Sequence, residues 1–133
     1  MAIVDRRSVP VAVHVARASP NEVRLIDATL ADRFLDAYPA RLIGDRAYDS
    51  DPLDARLQDE YGIALIAHHK ANRVRPATQD GRALRRAKRR WVVERFFAWL
   101  HNSRRLVSRW ERHVENFLGM VQLACMRILL NRL

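Results

Sequence analysis

Apolar runs that switch between two periods constrain this chain more than any other feature it carries. Val9 to Ala16 is valine-rich and alternates, the pattern of a strand. Asn21 to Tyr38 then sets Val23, Ile26, Leu30, Phe34 and Leu35 at helical spacing behind a Ser19-Pro20-Asn21 start signal. Arg41-Leu42-Ile43-Gly44 reads as a short strand ending at Asp45, Ser50 to Tyr61 as a helix stopped by Gly62, and Ile63 to Ala67 as a buried strand. This β-α-β-α-β order predicts an α/β layer with at least partly parallel strands.

The second half reads differently. Residues 70–87 have little apolar periodicity and contain Pro76 and Asp80-Gly81, so they are expected to form a basic loop. A helix is expected from about Arg85 to Val107, and another from about Val114 to Arg132. The latter carries Phe117, Leu118, Val121, Leu123, Ala124, Met126, Ile128 and Leu129 and is apolar on most sides, as in a packed helix. No internal repeat or low-complexity segment interrupts either half.

A chain of 133 residues with 49% hydrophobic and 29% charged residues can bury the core of one domain, and wholesale disorder is excluded. Its net charge of +9 is uneven: residues 1–69 hold 8 basic against 11 acidic side chains, and residues 70–133 hold 16 against 4. The second half is therefore the expected polyanion-facing surface. Only Lys70 and Lys88 among the basic residues are lysines, which favours bidentate phosphate contact, although a GC-rich genome produces the same bias. Cys125 is the one cysteine, so neither an intramolecular disulfide nor a cysteine zinc site can form, and a reducing cytoplasm fits. The N-terminus lacks an apolar targeting region, and Gln122 and Arg127 interrupt the last apolar run, so no membrane segment is expected. Phosphate loops, nucleophile elbows and His-Glu-x-x-His are absent, which excludes P-loop nucleotide hydrolysis.

Two acids stand out. Asp45 closes an apolar strand in Ile43-Gly44-Asp45-Arg46-Ala47-Tyr48-Asp49, and strand C-termini in open α/β sheets are where ligands collect. Glu94 lies within Arg89-Arg90-Trp91-Val92-Val93-Glu94-Arg95-Phe96-Phe97-Ala98-Trp99-Leu100, where helical spacing puts Arg90, Glu94 and His101 on one face and Val92, Phe96, Trp99 and Leu100 on another. The plainer readings are a turn or N-cap aspartate, and a surface glutamate paired with Arg90. Residues 82–112 hold 11 basic and 2 acidic residues interleaved with Trp91, Phe97, Trp99 and Trp110, a pattern that favours nucleic acid over a merely solvated face. Two carboxylates from separate elements could hold a hard cation, Mg²⁺ or Mn²⁺. His68-His69 reads as a polar loop pair, His14 as a sheet residue and Cys125 as core.

These residues resemble the C-terminal part of an insertion-sequence DDE transposase of the IS4/IS5 superfamily, over nearly the whole chain. Asp45-Arg46-Ala47-Tyr48 is similar to the family's second-aspartate motif, Asp-x-(Gly/Ala)-(Tyr/Phe). Ala87, Arg90, Glu94 and His101 align with its Tyr-x2-Arg-x3-Glu-x6-(Lys/Arg) signature, fitting at Arg90 and Glu94 and departing at Ala87 and His101. Val4 to Pro10 resembles the hairpin before the third strand, with Ser8 where a turn glycine is usual.

The resemblance implies a partial RNase H-like α/β fold, an incomplete mixed sheet with flanking helices that lacks the first strand, and DNA transposition as the function. Asp45 and Glu94 would be catalytic and hold Mg²⁺ or Mn²⁺, while Arg90, Arg95, His101, Arg104 and Arg105 would bind DNA. The triad's first aspartate is expected upstream of residue 1 and not at Asp5, whose motif position is on the hairpin. The chain is thus expected to be inactive alone, as the downstream half of a frameshifted transposase or a truncated copy. Expected partners are insertion-sequence ends, an upstream transposase segment and further copies assembled on DNA, in a bacterial cytoplasm at the nucleoid. A non-catalytic nucleic-acid-binding module is the competing class; a host RNase H-like nuclease is disfavoured by the same missing acid.

Overall fold

The computed structural model describes residues 1–17, 21–79, 81–88, 91–108 and 111–132. They fall into two units, one of residues 1–35 with 91–133 and the other of residues 36–90.

In the first unit, strands β1 (Ala2–Val4) and β2 (Pro10–Val13) form an antiparallel hairpin, with Ile3 opposite Ala12 and a register shift between Ile3 and Val4. Asp5 shapes its turn by accepting the Arg7 and Val9 amides on Oδ1, both at 2.8 Å. A 3₁₀ turn (Glu22–Leu25), capped by the Asn21 side chain on the Val23 amide, leads into α1 (Ile26–Ala31). The long helix expected over 21–38 stops there because the chain pairs with a strand edge instead. Arg33 bridges Ala12, and the Phe34 amide donates to the Val11 carbonyl at 2.8 Å. Tertiary pairing has overridden a helical pattern.

The helix expected over 85–107 is broken. Helix α4 (Trp91–His101) and α5 (Arg104–Val107) are separated at Asn102-Ser103, whose amides donate to the Trp99 and Leu100 carbonyls in a closing turn. On α4 the stripe of Val92, Phe96 and Leu100, spaced four apart, is buried, as its spacing predicts. Helix α6 (Val114–Leu130) buries Val121, Ala124, Cys125 and Ile128 at i, i+3, i+4, i+7. These two stripes meet Val13 in the core, around a wholly buried Phe96. Leu123, Met126 and Leu130 are exposed, so α6 is packed on one stripe and not on most sides.

In the second unit, β3 (Arg41–Ile43) pairs in parallel with β4 (Ala64–Ile66), Leu42 facing Leu65. Helix α2 (Asp51–Tyr61) connects them with Pro52 in its first turn and Gly62 at φ +66° ending it, a left-handed C-cap that suits glycine. Leu53, Leu57, Ile63, Leu65 and Ile66 are buried. The basic segment 70–87 is not all loop, since α3 occupies Gly81–Ala87.

The architecture is mixed α/β, but among the described residues the strands pair as two two-stranded sheets, one in each unit, in place of the expected single mixed sheet. No helix among these residues is long and apolar enough to cross a membrane. Replacing Phe96 by Ala should cost about 3–5 kcal/mol in urea denaturation. Phe97→Ala, on a ring 42% exposed, should cost about 1 kcal/mol; equal losses would mean α4 presents a different face.

Candidate active site

Asp45 is built into a turn with little freedom. It follows β3, and the Gly44 amide donates to the Ile66 carbonyl at 2.9 Å, continuing the parallel pairing by one residue. A Cβ on Gly44 would sit 2.8 Å from the Tyr48 ring, so only glycine lets that ring close over the strand end. Asp45 then caps a short 3₁₀ turn (Arg46–Tyr48), its Oδ1 accepting the Ala47 amide at 2.8 Å. The N-cap reading is thus correct, and it leaves the second carboxylate oxygen of a half-buried side chain for another partner.

Asp49, immediately after this turn, is the hub of a network that the sequence does not announce. Its side chain is 6% exposed and accepts three donors: the Lys70 amide on Oδ2 at 2.8 Å, and Arg73 Nη1 at 2.8 Å with His69 Nδ1 at 2.9 Å on Oδ1. Arg73 also donates through Nη2 to Asp51 at 2.6 Å and through Nε to the Pro76 carbonyl at 3.2 Å. Burial pushes the Asp49 carboxyl up, but the Lys70 amide, His69 and Arg73 outweigh it and hold the group below the usual carboxylate range. Among the described residues Asp54 has no such donors; burial, reinforced by the Asp51 and Asp49 charges, pushes it up to about 6. His69 lies in a loop, as its reading as a polar loop residue expects, and is paired there with Asp49; among the described residues its Nε2 is buried without a hydrogen bond. Its partner lies 20 residues upstream, beyond any local spacing rule.

Glu94 lies in the first turn of α4, exposed, with no hydrogen bond or ion pair among the described residues. The helix beneath it is pinned from the hairpin. Ser8, fully buried at φ +66°, donates from Oγ to the Val92 carbonyl at 2.7 Å and accepts from Arg95 Nε at 2.7 Å. Arg95 stacks between Trp91 and Trp99, its guanidinium carbon 4.7 and 5.0 Å from their ring centroids, and Arg132 covers Trp99 at 4.2 Å. Serine occupies the position of an expected turn glycine because its hydroxyl serves two partners that glycine could not.

Arg104 and Arg105 are exposed on α5, Arg105 within 3.7 Å of Glu111, and His101 is exposed at the end of α4. Arg90 lies outside the described residues. Asp45 belongs to one unit and Glu94 to the other. Among the described residues no three His, Cys, Asp or Glu side chains gather as a metal site. Each carboxylate taken singly suits a hard cation, being an oxygen donor with an uncommitted atom and access to solvent.

A family model described as a transposase DDE domain matches residues 1–129. A putative transposase for insertion sequence element IS402 from Burkholderia cepacia is 34% identical over 139 aligned positions, covering 98% of this chain. The chain spans 62% of the length of that relative. No solved structure matches.

The Ser8 geometry makes an ordered prediction. Ser8→Gly loses both hydroxyl bonds but removes the Cβ from a left-handed backbone, while Ser8→Ala loses the bonds and keeps the strain. Chemical denaturation should rank wild type above Ser8→Gly, and Ser8→Gly above Ser8→Ala by about 1 kcal/mol; the reverse order of the two variants would contradict the assigned turn.

Proposed function

We propose, from the premise that this chain belongs to the transposase DDE domain family, that residues 1–133 are the catalytic C-terminal portion of an IS4/IS5-superfamily insertion-sequence transposase. The reading assigns it a partial RNase H-like fold and a share in metal-dependent DNA cleavage and strand transfer. Asp45 and Glu94 are the two carboxylates that would hold Mg²⁺ or Mn²⁺. Bound there, the cation supplies Lewis-acid activation of a water or 3′-hydroxyl for in-line attack on a phosphodiester.

The chain's own part is to present oxygens and hold DNA. Asp45 keeps one oxygen on the Ala47 amide, which orients the other. Glu94 stands exposed on a turn held by Ser8, beside Arg95. Arg90, Arg95, His101, Arg104 and Arg105 are the proposed DNA contacts, with phosphate neutralisation making the binding salt-dependent. Arg95 spends its Nε on Ser8, so its contribution to DNA would come from the rest of the guanidinium. The triad's third acid is proposed to come from a segment outside these residues, joined in the same polypeptide or assembled on the insertion-sequence ends with further copies.

The observation that carries the reading is an aspartate fixed at the C-terminal end of a parallel strand, inside a chain matched over residues 1–129 by a transposase family model. A non-catalytic nucleic-acid-binding module would share the salt dependence but not a need for the acids. The chain alone should leave end-containing DNA uncut in Mg²⁺, and fusion to an upstream segment carrying the first aspartate should give cleavage. Asp45→Asn or Glu94→Gln should reduce that cleavage by roughly a thousandfold or more. Cleavage indifferent to either substitution would exclude these residues from the site.

A further inference from the structure

The turn bearing Asp45 has two anchors, and they differ in kind. At Gly44 the anchor is backbone pairing to β4 and the pressing Tyr48 ring. At Asp49 the anchor is a carboxylate whose two oxygens take three donors, all from the segment that follows β4. That segment is held in turn by Gln79, which accepts the Ala67 amide at 3.2 Å and donates to the Leu65 carbonyl at 2.9 Å. Arg73, 11% exposed, closes the clasp by spanning Asp49, Asp51 and the Pro76 carbonyl with its planar fork. Four hydrogen bonds occupy this guanidinium, so Arg73 is committed to the fold even though it lies in the basic half of the chain. Asp49 accepts three hydrogen bonds, whereas among the described residues the Asp45 side chain accepts only the Ala47 amide.

We infer that Asp49 is a positioning residue for Asp45: by clasping the 67–79 segment through Arg73, it holds the Arg46–Tyr48 turn and the Asp45 carboxylate in the orientation a divalent cation requires. The inference rests on the reading of Asp45 as a metal ligand. Partners behind a ligand fix its orientation, and their loss commonly weakens metal binding by one to two orders of magnitude without removing a ligand.

The test is a Mn²⁺ titration of the ¹⁵N-labelled full chain, read as paramagnetic broadening of the amides of residues 45–48, together with metal-free amide exchange at Ala47. Asp49→Asn and Arg73→Gln should each require roughly tenfold more Mn²⁺, and the double variant little more, because both break one clasp. Ala47 exchange should quicken in both. Arg75→Gln should titrate as wild type, because that side chain is 72% exposed and among the described residues pairs only with Asp51. Should Asp49→Asn not fold, Arg73→Lys, which keeps the charge without the fork, gives the same reading. Unchanged Mn²⁺ dependence and Ala47 exchange in folded variants would overturn the inference while Asp45→Ala still abolishes broadening. Broadening that survives Asp45→Ala would sink the metal reading, and this inference with it.

Discussion

Each unit fixes the turn that carries its candidate acid with one buried polar group. In residues 1–35 with 91–133 the group is the Ser8 hydroxyl, shared between the Val92 carbonyl and Arg95 Nε in the stretch of α4 that carries Glu94. In residues 36–90 it is the Asp49 carboxylate, shared among Lys70, His69 and Arg73 beside Asp45. Burying either group without partners would cost several kcal/mol. With partners, each turns a flexible loop into a support. The apolar cores around Phe96 and around Leu57 supply the bulk stability, but they do not aim a side chain.

The same logic sorts the arginines. A charge excess in residues 70–133 suggests a uniform phosphate-binding face, yet the structure commits Arg73 wholly to Asp49, Asp51 and Pro76, and Arg95 partly to Ser8 and two indoles. Arg104 stays exposed on α5, with no such anchoring among the described residues. Long-range attraction of a polyanion needs only the summed charge. Register on that polyanion needs arginines that the fold has not already used.

Much of this was legible in the residues because its cause is local. The end of β3 at Asp45, the stop of α2 at Gly62 and the buried stripe of α4 follow from apolar period and a capping glycine. Helix α3 was missed because its helicity comes from arginine and alanine propensity, with little apolar periodicity. The break between α4 and α5 had a signal in Asn102-Ser103, two residues that favour turns, which the surrounding apolar pattern obscured. The shortening of α1 had none, because it depends on a hydrogen bond from Phe34 to Val11, 23 residues away. The Asp49–Arg73 pair spans 24 residues and was equally invisible, although Asp49 sits in the same short motif as Asp45.

The central proposal is that Asp45 and Glu94 are each carboxylates that hold a divalent cation. Anomalous scattering from crystals of the DNA-bound protein grown with Mn²⁺ tests it most directly. The account predicts Mn²⁺ density about 2.0–2.3 Å from a carboxylate oxygen of each residue. A peak on one of them alone, or at another site with both carboxylates bare, would contradict it.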